Sequence, residues 1–493
     1  MLLLYMDDDD IATYIGWKGY TIYKENISVQ EQQMLRKELN VKPFVPKSSL
    51  MKPQPFPVYR ESKNKIYVPR FYGMEVYGEP DDIVITDGKK INVNFKGELR
   101  PKQKPVVDKF MKHIKKKHSG LLALHTGFGK TCLALNIISR IKLKTIIIVH
   151  KEFLLRQWIE RIEQFLPDAK VGKIQAKTID TEDKDIVICM LQSLSMKDYP
   201  KNMFKEYGFM IVDEVHHLGA EVFSRAFYKV VTKYSLGLSA TINRKDGLTK
   251  VIKWFLGDVV CKLERKGEDN VLVKVINYET NDEDFNKVEL NFRGQVNYTG
   301  MIKKICEFNR RSEFILKVLA DLLKENPNQQ IMILGHQKKL LQYLHDAIRH
   351  RTISTVGYYV GGMKEKDLKI SEGKKVIIAT YAMAEEGLDI KTLTTLLMAT
   401  PKVDVRQSVG RILRQKHKQA IVVDIVDSHS LFQRHFTKRK TFYRKSKFKI
   451  IQTNMNGYQN DEWETIYDPV NKIKKAFSKT KNEDKLLQGV CLI

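Results

Sequence analysis

The sequence predicts an α/β protein: two parallel-sheet domains in tandem, preceded by a small N-terminal α+β module. Three observations carry this. Short β-branched apolar runs alternate with helical patterns from Lys96 to about Thr249, and a second series of the same kind follows beyond residue 300. Such alternation means strand–helix–strand units in a parallel sheet covered on both faces. At 493 residues the chain is also too long for one ordinary core.

Residues 1–95 are rich in Tyr, Pro and Lys, with an alternating run Lys65-Ile66-Tyr67-Val68 and a proline-punctuated stretch from Lys42 to Pro57. One amphipathic helix is expected from Val29 to Leu39. No chemical motif stands out, so the segment reads as an accessory module. Residues 96–250 form the first α/β domain, with strands expected at Gly120–Leu124, Lys144–Val149, Asp185–Met190, Phe209–Val212 and Ser235–Ser239. Residues 251–300 are mixed and charged, and read as an inter-domain connection with some structure of its own. The second domain, residues 301–430, has strands expected at Gln330–Leu334, Val356–Val360, Lys375–Ala379, Thr395–Met398 and Ala420–Ile425. Helices are expected there at about Arg311–Leu323 and Lys338–Arg349.

Residues 431–493 read as a basic C-terminal tail. Between Arg434 and Lys449 eight cations occur with no acidic residue, and Phe436, Phe442, Tyr443 and Phe448 interleave. Phosphate neutralisation combined with base stacking holds single strands without sequence preference.

Composition narrows the class. A hydrophobic content of 43% and a charged content of 29% fit a soluble globular protein, and the net charge of +27 points to a polyanionic partner. The five cysteines show no C-x-x-C spacing, which argues against a zinc or iron–sulfur site and for a reducing, intracellular compartment. Met1 to Met6 is apolar but stops at Asp7 to Asp10, so neither a signal peptide nor a membrane span is expected.

The chemistry lies in two short runs. His125-Thr126-Gly127-Phe128-Gly129-Lys130-Thr131 follows the apolar run Leu121 to Leu124 and opens the helical pattern Cys132 to Ile141. A strand, a glycine-rich turn and a helix N-terminus aim backbone N–H groups at phosphate oxygens, and the helix dipole favours the anion. Lys130 then reaches the β and γ phosphates, and the Thr131 hydroxyl ligates magnesium. Leu124 stands where the strict pattern has its first glycine. Asp213-Glu214-Val215-His216 ends a second apolar run, Phe209 to Val212. Asp213 suits the metal shell, and Glu214 suits polarisation of the attacking water. Together the two runs predict nucleoside-triphosphate hydrolysis. His216 and His217 have no further His or Cys at ligand spacing, so a metal site of their own is not expected.

In the second domain, Gln407 to Arg414 reads Gln-Ser-Val-Gly-Arg-Ile-Leu-Arg. Arg411 and Arg414, at i and i+3, are expected on one helix face, where permanent planar charge suits a phosphoryl group. Gly387-Leu388-Asp389 follows a strand and is a candidate contact to the same nucleotide.

The order of these runs resembles the superfamily 2 helicases. Arg100-Pro101-Lys102-Gln103 comes first, then the glycine-rich loop, Asp213 to His216, Ser239-Ala240-Thr241, Gly387-Leu388-Asp389 and Gln407 to Arg414. Arg244-Lys245-Asp246 is similar to the Arg-Glu-Asp element of the XPB-like branch, with Lys245 in place of its Glu. The poxvirus transcript-release helicase and related large-DNA-virus proteins are close by. His150 to Trp158 resembles the nucleic-acid-facing motif after the second strand.

The resemblance covers about residues 96 to 430. It implies two RecA-like domains with ATP and magnesium in the cleft. Gln103 would read the adenine, and His125 to Thr131 would hold phosphates and metal, with Gly387 and Asp389 also near the nucleotide. Arg411 and Arg414 would be arginine fingers, while Ser239, Thr241 and Gln407 would couple hydrolysis to movement. The expected activity is ATP-driven translocation or unwinding, by a monomer without membrane attachment. DNA is placed ahead of RNA as the track, and transcription machinery is a candidate partner. An RNA helicase and a DNA-dependent remodeller that does not unwind are the alternatives. The compartment expected is cytoplasm, virus factory or virion for a viral chain, and otherwise the nucleus.

Overall fold

The structure is a computed structural model that describes residues 12–45, 53–200, 202–217, 220–242, 244, 246–264, 269–386, 390–413, 415 and 417–470. The chain divides into two compact units, Met1–Glu264 and Arg265–Ile493.

The first unit holds an eight-stranded sheet. Its spatial order is Thr178–Asp180, Val171–Gln175, Ile186–Met190, Thr145–Val149, Phe209–Val212, Tyr234–Ser239, Ser119–Leu124 and Val259–Leu263. Every neighbouring pair is parallel except the first. Strands such as Thr145–Val149 are buried along their whole length, as expected of a parallel sheet covered on both faces. One face packs against the helices Lys104–Lys117, Lys130–Ile141 and Glu152–Phe165 through Phe110, Leu133 and Trp158.

The other face carries the N-terminal module. That module has a five-stranded sheet in the order Arg60–Glu61, Lys65–Val68, Gly19–Tyr23, Thr13–Gly16 and Asp82–Ile83. The helix Val29–Glu38 is started by a capping box in which Ser28 and Glu31 satisfy each other's backbone N–H. The helix Arg70–Tyr77 lies so close to Tyr20 that a Cβ on Gly73 would sit 2.3 Å from the ring. Residues 1–95, expected as a separate module, share one core with the first α/β sheet. Tyr72 packs edge-on against Trp254 at 5.1 Å, and the buried Tyr228 hydroxyl donates to the Val58 carbonyl at 2.8 Å.

The second unit repeats the architecture. Its sheet runs Val356–Tyr359, Val376–Thr380, Gln330–Gly335, Leu393–Met398, Ala420–Asp427, Val271–Tyr278, Lys449–Thr453 and Glu464–Tyr467, parallel until the last pair. The fold is the expected α/β pair of RecA-like parallel-sheet domains.

Two expectations are corrected here. Residues 251–300 contain the division between the two units, after Glu264, but are more than a connection: Val259–Leu263 edges the first sheet, whereas Val271–Tyr278 lies inside the second between Ala420–Asp427 and Lys449–Thr453. Residues 431–470 are not a tail. They form the helix Ser430–Lys445 and two strands, with Phe432, Phe436 and Tyr443 buried in the core of the second unit. Arg439, fully buried, makes a two-pronged ion pair with Asp424 at 2.7 and 2.9 Å. Positions 432, 436, 439 and 443 recur at helical spacing, so Arg439 belongs to the inward stripe and the aromatics are core. The end of the expected tail, from residue 471, lies outside the described residues.

Candidate active site

In an open α/β sheet, ligands bind beyond the carboxyl ends of the strands. The strand order makes Phe209–Val212, Tyr234–Ser239 and Ser119–Leu124 immediate neighbours. The loops that follow them therefore meet, although they are separated by scores of residues in the chain.

The loop after Leu124 turns through Gly127 and Gly129, at φ 84° and 90°, and Lys130 opens the helix Lys130–Ile141. A side chain at Gly129 would be strained at that φ, and its Cβ would lie 2.5 Å from Gln103 Nε2. Leu124, in place of the motif's first glycine, is a fully buried strand end. His125 and Phe128 brace the loop, ring centroids 5.5 Å apart.

Gln103 is buried with both ends of its amide engaged. Its Oε1 accepts from the Arg100 backbone at 2.8 Å, and its Nε2 donates to the Phe128 carbonyl at 2.8 Å. The Arg100 guanidinium donates to that same carbonyl at 3.0 Å. In this structure Gln103 and Arg100 pin the outer side of the glycine-rich loop.

At the carboxyl end of Phe209–Val212, Asp213 is buried. Its Oδ2 accepts from the Trp158 indole at 2.9 Å, and its Oδ1 accepts from the Glu214 N–H at 2.9 Å. Burial, reinforced by the Glu214 carboxylate, pushes the Asp213 carboxyl up, against the pull of Lys130 and the Trp158 hydrogen bond. Glu214 has φ 48°, a left-handed backbone unusual outside glycine, and its Oε1 lies 2.6 Å from Lys130 Nζ.

The polar chain continues past Glu214. His216 Nδ1 is 3.3 Å from Glu214 Oε2 and 2.7 Å from Ser239 Oγ. Ser239 Oγ accepts from the Thr241 N–H at 3.3 Å and hydrogen-bonds the Thr241 carbonyl. Arg244 caps the assembly, donating to the His216 carbonyl at 3.3 Å while paired with Asp246.

The structure thus gathers Gln103, the loop 125–131, Asp213, Glu214, Ser239 and Thr241 in the first unit. Trp158 was read as part of a nucleic-acid-facing motif; its bond to Asp213 was missed. The pairing of His216 with Ser239 was missed too, since sequence separation hides which strands are neighbours. Gln407 and Arg411 lie in the second unit on the helix Arg406–Arg411, with Arg411 buried. That helix closes at Arg411, where Ile412 N–H bonds the Val409 carbonyl at 3.2 Å. Arg411 is thus the last residue of that helix. Arg414, Gly387, Asp389 and Lys245 lie outside the described residues.

Oxygen donors at Thr131 and Asp213 suit magnesium, which takes few protein ligands and shares phosphates and water. Among the described residues no cluster of three or more His, Cys, Asp or Glu side chains is placed to hold a metal, and no helix is long and apolar enough to cross a membrane.

Residues 96–244 match the family described as Type III restriction enzyme, res subunit. A protein named "putative ATP-dependent RNA helicase" from Acanthamoeba polyphaga mimivirus is 36% identical over 90% of this chain and 87% of its own length. A "putative helicase" of Invertebrate iridescent virus 6 is 29% identical over 72% of this chain and 83% of its own. An African swine fever virus protein, also named "putative ATP-dependent RNA helicase", is 27% identical over 75% and 77%. The crystal structure of T4 UvsW is similar over 90% of this chain and 99% of that one, at 18% identity and a TM-score of 0.34. With the glycine-rich loop, the Asp-Glu-Val-His strand end and Ser239-Ala240-Thr241 joined in one site, the chain belongs to the superfamily 2 helicases, alongside those of large DNA viruses, and is an ATP-dependent, nucleic-acid-binding helicase.

Proposed function

We propose that this helicase moves along DNA, with each ATP hydrolysed at Lys130 and Glu214 and the event relayed through His216 to Ser239 and Thr241. The observation that carries the proposal is the continuous polar chain from Lys130 through Glu214 and His216 to Ser239. A γ-phosphate drawing Lys130 away leaves Glu214 to orient water, and His216 senses the change through the same carboxylate. Thr131 and Asp213 would hold magnesium, which would supply charge neutralisation at the phosphates. Arg411 is assigned as an arginine finger on its motif alone.

DNA is favoured by the net charge of +27 and by Arg244-Lys245-Asp246, whose likeness to the XPB-like branch motivates a duplex-handling role in viral transcription. The RNA reading is favoured by the names of the mimivirus and swine fever virus relatives. A reducing intracellular compartment follows from the cysteine spacing. ATP turnover measured with duplex DNA, single-stranded DNA and RNA in turn tests the proposal. Stimulation by DNA supports it, and stimulation by RNA alone overturns it. Strand displacement then separates an unwinding enzyme from a remodeller.

A further inference from the structure

The N-terminal sheet turns a second face away from most of its buried core. Ile15, Tyr20, Ile22, Ile66 and Val68 point inward and are buried. Strand register puts the opposite set in one row, Arg60–Tyr67–Thr21–Tyr14–Asp82, across all five strands. Lys65 faces Tyr23 on the same side, two residues from Tyr67 and Thr21. This outer face carries three partly exposed tyrosines, Tyr14, Tyr23 and Tyr67, around the buried Thr21. Two-faced antiparallel sheets expose polar residues on the wet side, so a row of partly exposed rings there is a departure that calls for an occupant.

Its detailed chemistry indicates which one. Lys65 Nζ donates to the hydroxyls of Tyr14 at 3.2 Å and Tyr23 at 2.9 Å. An ammonium only donates, so both phenol oxygens act as acceptors towards it and both phenol protons remain to be given elsewhere. Among the described residues neither hydroxyl has another hydrogen-bond partner. One cation and two outward O–H donors converge, a combination that suits an oxyanion such as a phosphodiester. Beside it Lys18 Nζ lies 4.7 Å from the Trp17 ring centroid and 4.6 Å from that of Tyr67, and Trp17 is 48% exposed at the hairpin tip. Phosphate donors next to cation-flanked rings match the needs of an unpaired strand, whose bases stack on aromatics while its backbone seeks positive charge.

We propose that this outer face binds single-stranded nucleic acid, with Lys65, Tyr14 and Tyr23 on a phosphate and Trp17 and Tyr67 under bases. The inference gives residues 12–68 a role outside the ATP site and rests on the nucleic-acid partner established for the family. A duplex is disfavoured because its bases are already stacked.

The test uses the full chain and a fluorescent oligothymidylate, titrated by anisotropy at several salt concentrations. Lys65→Met should lower the slope of log affinity against log salt by about 0.7, the loss of one phosphate contact. Trp17→Ala should weaken binding about fivefold or more at every salt concentration, with the slope kept, because stacking is not ionic. Tyr23→Phe removes a hydroxyl and no carbon, and should weaken binding severalfold without disturbing packing. ATP turnover in the absence of nucleic acid should be unchanged in all three, which also verifies folding. Ultraviolet crosslinking of the thymidylate should label peptides spanning 12–23 and 65–68. Wild-type affinity and slope in the three variants, with crosslinks only elsewhere, overturn the proposal and leave the face to a protein partner. Should wild-type protein show no DNA-stimulated turnover while these binding changes appear, the tracking proposal fails and this one stands.

Discussion

Lys130 Nζ lies 2.6 Å from Glu214 Oε1, so the cation meant for phosphate and the carboxylate meant for water hold each other. Both side chains are mostly enclosed, at 13% and 21% exposure, where such a pair is screened little by salt. On the proposed assignment, ATP would separate them, and the event that seats the phosphates would free the carboxylate.

Lys130→Ala is expected to abolish ATP turnover, at least a hundredfold, by removing the cation on the β and γ phosphates. Nucleic-acid affinity should persist, because the loop is distant in function from the track. A phosphate-release assay beside an anisotropy titration checks both halves. Turnover at the wild-type rate refutes the assignment of the loop.

Glu214→Gln is expected to bind ATP and hydrolyse it about 10²–10⁴-fold more slowly, the usual loss when an acid–base group is neutralised. Filter binding should show prolonged retention of labelled ATP. Unchanged turnover would reduce the acidic pair to a structural role.

Ser239→Ala is expected to leave ATP turnover within a fewfold of wild type while strand displacement per ATP falls. The Ser239 hydroxyl lies 2.7 Å from His216 Nδ1, just beyond the acidic strand end. Parallel ATPase and displacement measurements give the ratio. A proportional fall in both would place Ser239 in hydrolysis instead.

Trp158→Phe keeps the buried ring system in large part but removes the donor to Asp213 Oδ2. Leaving a buried carboxylate oxygen without its donor costs about 1–3 kcal/mol. The expected signature is a higher magnesium requirement for turnover together with a lower denaturation midpoint. Neither would move if the indole served only packing.

Arg439→Ala is expected to destabilise the second unit by about 3–5 kcal/mol, the cost of stranding a buried carboxylate. Truncation from residue 434 should unfold that unit, because it removes the buried Phe436, Tyr443 and Phe448 along with two strands. Circular dichroism and urea titration report both. A truncated protein with a native melting transition would restore the tail reading.

The sequence by itself determined the local chemistry. Apolar runs such as Thr145–Val149 are long enough and β-branched enough to be buried strands, so their positions were legible to within a residue or two. Gly127 and Gly129 announced a loop with left-handed turns that favour glycine, and Asp213 and Glu214 declared themselves by ending a strand. Strand order is different, since it depends on which faces are buried together and not on any local preference. It alone put Ser239 beside His216 and Trp158 under Asp213. The same holds for Arg439. A basic, aromatic-interleaved stretch looks solvent-loving until Asp424, fifteen positions earlier on a central strand, supplies the opposite charge in the core. A charge is tolerated inside a protein only where its partner is already waiting, and that partner is a fact of tertiary structure.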